Sequence, residues 1–517
     1  LAGRAISKST SRRNSEFAEV YAAALKGLAW FHRWVGVVLC LMFATWFATG
    51  AMMVFVAFPS LPAEAVAARS EAVDLAGVEL APAAAAARLG RPDDLRLVSR
   101  AGAPAYVGAQ GSRQAAISAV DGQRLPALTG AQAGEIASRF AGAPTARVSA
   151  PIDYDQWVVH QALNPWRPFY RVRLADRAAT DLYVSAATGE VRQQTGRLQR
   201  AANWVGSVVH WIYFTPLRRS FPAWDWTVWG LALTGVTTAV AGIWLGVTRT
   251  SRKMRSQRPG VSPYRGLLRW HHVIGLAAGA FVLCWIVSGW LSMDHGRLFS
   301  DGAPSPSAEQ IYRDGDGRRP APDLTAADLR SLAGSLGPGA TAIDFSQVNG
   351  CSVAAAQSPS GPRVLALCPG ARRVGKNVPD DLMLSAIRAA WPGERIVSAA
   401  RVRADSPYAK AEGAPDGALQ IQLAGSQALR LFVDPVSGRL LVAMDHSREA
   451  YAWVYYMLHT YNFPGLSERP VLRIVILLIP LTLGFIFSIT GVLVGVRRLR
   501  ALVPAAKAAP GPRESGR

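Results

Sequence analysis

The stretch Trp30-Phe31-His32-Arg33-Trp34-Val35-Gly36 opens a long apolar run, and a near copy, Trp270-His271-His272-Val273-Ile274-Gly275, opens another. Setting Gly36 on Gly275, 239 residues later, places His32 on His271. Both runs then reach a small residue and a glycine after the same interval, at Thr49-Gly50 and Ser288-Gly289. In a helix, positions i and i+4 share a face, so each histidine has a bare glycine one turn above it. Further registers match. Gly189 precedes His210 by 21 residues, and Gly438 precedes His459 by 21. Trp204 and Trp453 stand 6 residues before those histidines, and Gly242 and Gly491 stand 32 after them. So many shared intervals argue for duplication: two halves related by a pseudo-twofold axis along the membrane normal, each made of span, outer domain, interfacial helix and span.

The chain has 517 residues, enough for two to four domains. Crossing a bilayer takes about 20 apolar residues, and four windows reach that length: 34–58, 225–247, 272–293 and 471–496. None carries Lys, Arg or Glu in its middle. The first is too long for a signal peptide, and its flank matches the later repeat. The net charge of +21 is unevenly placed. Segments 1–33, 248–271 and 497–517 hold 19 bases against 3 acids, and the remainder is nearly balanced. A basic excess on one side of the spans follows the positive-inside rule rather than a nucleic-acid footprint.

The expected fold is an α-helical membrane protein of four transmembrane helices. Segments 1–33, 248–271 and 497–517 are expected to be cytoplasmic, α+β domains at 59–199 and 294–446 periplasmic, and an interfacial helix and loop to occupy each of 200–224 and 447–470. Ala-rich helix is expected within Pro59–Pro92, strands over 97–125, and a capped helix at Thr129–Phe140. A strand meander follows: Phe169–Leu174, Thr180–Val184 and Glu190–Gln193, turning at Thr188-Gly189. The second half repeats the plan, with helices at Ala326–Leu336 and Asp380–Trp391. Its strands are Ala418–Leu423, Ala428–Val433 and Arg439–Val442. Cys40 and Cys284 read as packing residues. Cys351 and Cys368 share an outer segment, where a disulfide could persist.

Of eight histidines, four fall at equivalent places: His32 with His271, and His210 with His459. An isolated interfacial histidine is usually an amphipathic anchor. Two matched pairs can instead set imidazoles on opposite sides of a central ligand, and the expectation is two haems, one per leaflet. Neutral imidazoles suit a low-dielectric site, and filling both axial positions favours electron transfer over oxygen binding. His272 could replace His271 or bond a propionate, and His295 could serve the outer haem. His160 and His446 read as surface or domain-core residues. Arg218 and Arg219 are candidates for propionates or an anionic substrate, with ordinary solvated charge as the plainer reading. No Ser/His/Asp arrangement, phosphate-cradling loop, or flavin or nicotinamide fingerprint is present.

Two segments, Val184-Ser-Ala-Ala-Thr-Gly-Glu-Val191 and Val433-Asp-Pro-Val-Ser-Gly-Arg-Leu440, look like the strand-turn-strand signature of PepSY domains. With the His-x-x-x-Gly openings, the Trp-x5-His segments and four spans, the chain resembles the PepSY-associated transmembrane family over roughly 28–500. Members include inner-membrane ferric-siderophore reductases that carry haem b and reduce iron at the periplasmic face. The resemblance implies His32, His271, His210 and His459 as axial ligands of two haems b and a ferric siderophore as substrate. It also implies membrane lipid as surroundings and a separate electron donor, quinol or a cytoplasmic reductase. The alternatives are a non-catalytic PepSY membrane regulator or scaffold binding a periplasmic partner, and a transporter. A transporter would need polar or broken spans near the midplane, where this chain offers only Pro480 and a few Ser and Thr.

Overall fold

A computed structural model describes residues 2–502 apart from 93, 111, 258, 316–321, 337 and 338. The tail beyond Leu502, and the side chains of the basic residues Arg4, Lys8, Arg12 and Arg13, lie outside the described residues. The chain divides into two compact units. The first comprises 1–54, 227–290 and 474–517, and the second 55–226 and 291–473.

The first unit holds the membrane helices. Four helices are long and apolar enough to cross a bilayer: Glu19–Met53, Phe221–Arg255, Gly266–Leu291 and Pro470–Leu502. At 1.5 Å per residue, even the shortest, at 26 residues, exceeds a hydrocarbon core about 30 Å thick. The first apolar window runs to Phe58, but its helix stops at Met53. The second ends on Arg252, Lys253 and Arg255, cations that suit the negative end of a helix dipole. Small residues let the helices approach: Gly235 takes Phe43 and Ile286 against it, and Gly279 takes Ile243.

The second unit contains three antiparallel sheets. Helix Gly130–Ala141 begins in a capping box between Thr129 and Gln132. It lays Ala133, Ala137 and Phe140 on a sheet of Thr145–Val148, Phe169–Leu174, Asp181–Ser185 and Val191–Thr195. Burying each large apolar side chain there contributes about 1.5–3 kcal/mol. The second half repeats the order. Helix Asp380–Ala390 sets Met383, Ala386 and Ile387 on a sheet of Arg395–Val402, Ala418–Ala424, Arg430–Val433 and Leu440–Met444. The copies agree to a detail, because the register shifts between Tyr183 and Val184 in one and between Phe432 and Val433 in the other.

Both repeats turn on a glycine. Gly189 (φ 77°) and Gly438 (φ 70°) adopt the left-handed conformation, which glycine enters without a Cβ clash. Ser185 opens the first turn, its Oγ accepting from Thr188 N, and Asp434 opens the second, accepting from Val436 N and Ser437 Oγ.

The two outer segments do not form separate domains. Strands Arg96–Arg100, Ala103–Gln110 and Arg113–Ser118 join Ala342–Val348, Cys351–Gln357, Arg363–Cys368 and Ala371–Gly375 in one seven-stranded sheet. The seam pairs Arg96 with Asp344, Leu97 with Ile343 and Val98 with Ala342. One core backs it, mixing Leu97, Tyr106 and Ile117 with Ile343, Phe345 and Leu365. The disulfide Cys351–Cys368 staples two neighbouring strands of this sheet.

The ranges 200–224 and 447–470, each expected to hold an interfacial helix and loop, contain more than one helical piece. The first is three short helices, Arg197–Val205, Ser207–His210 and Thr215–Arg218, and the second is Pro-free helix His446–Ala452 running into a π-helical stretch, Trp453–His459.

Candidate functional site

His32 sits on the helix Ala2–Met53, and its Nδ1 lies 3.1 Å from the carbonyl oxygen of Thr238. A carbonyl only accepts, so Nδ1 carries the proton and Nε2 keeps its lone pair. Gly242, one turn beyond Thr238, faces the same ring, and a Cβ there would fall 2.5 Å from His32 Cε1. The counterpart, His271, places Nδ1 3.0 Å from Thr490 Oγ1. That hydroxyl spends its one proton on Phe487 O at 2.6 Å, so it accepts from His271 and again leaves the Nε2 lone pair. Gly491 faces the His271 ring at 3.5 Å. Phe487 stacks on that ring with centroids 4.9 Å apart.

His272 has the opposite tautomer. Its Nε2 donates to Gly246 O at 3.2 Å, and Nδ1 is buried without a partner. It would therefore act through Nδ1, not in register with His32 and His271.

In the second unit, His210 and His459 end their helical segments, and both are partly buried and engaged. Two residues past each, the backbone turns left-handed at a residue other than glycine, Ile212 (φ 54°) and Tyr461 (φ 57°). Such a conformation costs about 1–3 kcal/mol and persists only where the surroundings impose it. Tyr455 packs on His459 with centroids 5.9 Å apart. Burial pushes the Tyr455 hydroxyl above its ordinary range, and Tyr456, Tyr451 and Tyr213 add to the shift.

His295 is held by Asp225, with Nδ1 2.6 Å from Oδ2, and packs edge-on to Trp226 at 4.3 Å. A carboxylate on Nδ1–H is the outer partner that orients metal-ligating histidines. Trp224, beside Asp225, donates to Trp211 O at 2.8 Å, tying this pair to the segment of His210.

Other candidates resolve differently. Arg218 is not a solvated charge: it is 3% exposed, lies among Tyr213, Phe221 and Trp224, and donates to Gln161 Oε1. Arg219 is exposed. His160 is a surface cap, with Nδ1 accepting from Ala162 N, and His446 is exposed. The orienting groups Thr238, Thr490 and Asp225 were not singled out from the sequence. The two threonines stand at unmatched places in the repeat, so register could not reveal them. Asp225, the lone acid in the run Trp224–Trp229, was a readable signal.

Among the described residues, no three His, Cys, Asp or Glu side chains converge to hold a bare metal ion. His32 and His271 are each an Nδ1-anchored imidazole beside a glycine, with a lone pair kept on Nε2. These features define a four-span membrane protein with β-sheet domains between its helices and paired histidines on them. A family model described as the PepSY-associated TM region matches residues 29–360, and the chain belongs to that family. Neither the curated proteins nor the solved structures yield a match.

Proposed function

We propose that the chain is an inner-membrane dihaem b reductase that carries electrons across the bilayer to a periplasmic Fe(III)-siderophore and releases Fe(II). The observation that carries this reading is the hydrogen-bond accounting at His32 and His271, where each Nδ1–H is spent and each Nε2 lone pair is kept. His32 and His271 would hold one haem, and His210 and His459 the other, with His295 the next candidate at the second site. When bound, haem b supplies one-electron iron chemistry at a potential set by its ligands and burial.

The chain's own residues do the rest. Thr238 and Thr490 fix the ring planes of the first pair, and outer partners of this kind raise ligand basicity. Phe487 covers one imidazole face and keeps it dry. The repeated element order supports two halves about a pseudo-twofold axis. The basic excess of 1–33, 248–271 and 497–517 supports their placement in the cytoplasm and that of 59–224 and 294–470 in the periplasm. Electrons come from quinol or a separate cytoplasmic reductase, one for each Fe(III). Hard oxygen chelators hold ferric iron more tightly than ferrous iron, so reduction frees the metal.

The test uses the full chain in proteoliposomes, chemically reduced, then mixed with a ferric hydroxamate chelate and a chromogenic Fe(II) trap. The expected result is Fe(II) formation that requires the protein and falls in His32→Ala. Haem-loaded protein that forms no Fe(II) above protein-free vesicles would contradict the reading.

A further inference from the structure

The seam between the two halves borders a cleft of about 300 Å³, the lower end of the range for small-molecule sites. Its apolar walls include Val66, Ile136 and Phe140, and its polar lining is unusually charged. Four arginines reach it: Arg69, Arg96, Arg139 and Arg192. Three acids answer them: Glu71, Glu190 and Asp344.

The acids do not cancel the cations. Glu71 is used by Arg139 at 3.7 Å and by Ser99. Glu190 is shared, paired closely with Arg96 and lying 3.7 Å from Arg192. Burial would raise Glu190, but Arg96 and Arg192 outweigh it and hold it below the ordinary carboxylate range. Among the described residues Arg69 donates only to neutral groups, Ala65 O and Gln194 Oε1, and its guanidinium lies 4.4 Å over the Phe140 ring. Arg96 Nη2 and Arg192 Nε are sealed in without partners. Among the described residues, the Asp344 carboxyl has neither a hydrogen bond nor an ion pair, although it lines the cleft. Burial pushes it above its ordinary range, with Arg96 and Arg439 pulling the other way. The groups facing it are Arg96 from the neighbouring strand, Glu190 and Arg192 from the first-half turn and strand, and Arg439 and Asp434 from the second-half turn. The cleft therefore carries excess positive charge whether or not Asp344 is ionised, and an unused carboxyl group opens into it.

We propose that this cleft binds a small organic carboxylate, its charge met by the guanidinium groups of Arg69 and Arg192 beside the carboxyl of Asp344. Arg69 and Arg192 both line the cleft, and Arg69 also holds Gln194 of the strand that bears Arg192. Planar guanidinium groups match carboxylates, and an anion supplies the counter-charge this lining lacks. The ligand is either a free acid or the carboxylate of a metal chelate. No histidine lines the cleft, so the proposal does not depend on the redox reading.

The test is calorimetric titration of the detergent-purified full chain with citrate and, separately, with ferric citrate. Phosphate and tetramethylammonium serve as comparators. Saturable citrate binding is expected near pH 5, with tetramethylammonium bound at least about tenfold more weakly. Binding of ferric citrate alone would identify the chelate as the source, and binding of both would identify the shared carboxylate. Asp344→Asn, which removes any negative charge of the carboxyl and keeps a donor, should bind citrate at least as tightly as the parent. Arg192→Gln and Arg69→Gln, each checked for an unchanged melting temperature, should each weaken binding about tenfold. The proposal is overturned if neither citrate form saturates the site at low pH. Tighter binding of tetramethylammonium, or unaltered citrate binding in both arginine variants, would overturn it too.

Discussion

Replacing Gly242 and Gly491 by alanine should have opposite consequences, although they occupy matched places in the two halves. A methyl group at 242 would lie 2.5 Å from His32 Cε1. Carbon atoms settle at about 3.5–4.0 Å, so the ring must retreat by roughly 1 Å. The Nδ1 contact with Thr238 O, 3.1 Å at the start, does not survive such a shift. Overpacking of this kind costs about 1–3 kcal/mol, and a lost hydrogen bond adds about 1 kcal/mol. A methyl group at 491 would lie 3.5 Å from His271 Cε1, an ordinary contact. There the change should be neutral or stabilising by up to about 1 kcal/mol through helix propensity. Thermal unfolding in detergent reads the stability difference, and the reduced-minus-oxidised spectrum reads whether His32 still serves as a ligand. Gly242→Ala should melt earlier and lose or shift one haem signal, while Gly491→Ala should resemble the parent. Equal effects, or an unperturbed Gly242→Ala, would refute the placement of His32 against that helix.

Three further outcomes are expected. His210→Ala or His459→Ala should delete one haem signal and leave the other, and if both variants keep both signals, His295 with its Asp225 partner becomes the ligand to test. Burial alone would raise Asp181, but hydrogen bonds from Arg173 and Arg171 and the charge of Arg200 outweigh it and hold it below the ordinary carboxylate range. A depressed pKa contributes stability that is present above the unfolded value, about 4, and lost as pH falls through the folded one. Asp181→Asn should thus cost about 3–5 kcal/mol near neutral pH and flatten the acid limb of a stability-against-pH curve. Cys351→Ser with Cys368→Ser opens a link spanning 17 residues and should cost about 3 kcal/mol, read as a lower denaturant midpoint under non-reducing conditions.

Much of this molecule is readable from its residues. Apolar length marks the four helices, the Thr129–Gln132 capping box marks the start of one helix, and the Thr188-Gly189 and Ser437-Gly438 turns fix the two meanders. The seven-stranded sheet is not readable in the same way. Its strand Cys351-Ser-Val-Ala-Ala-Ala-Gln357 is rich in alanine and buried at nearly every position, so neither β-branched composition nor alternation announces it. Its central seam joins Arg96–Arg100 to Ala342–Val348, a pairing no local pattern can signal. The histidine pairs follow from repeat register, but their orienting partners do not. Thr238, Thr490 and Asp225 are set by how helices rotate against one another. The break at Ile212, a β-branched residue in a left-handed conformation, runs against local preference and escapes any propensity argument.

The claim beneath the functional proposal is that paired imidazoles grip iron porphyrin. An absorption spectrum of the purified full chain, reduced minus oxidised, with haem measured against protein after expression with ample haem supply, tests it most directly. The account predicts b-type bands and about two haems per chain, one for each ligand pair. A colourless protein with no Soret band would contradict it.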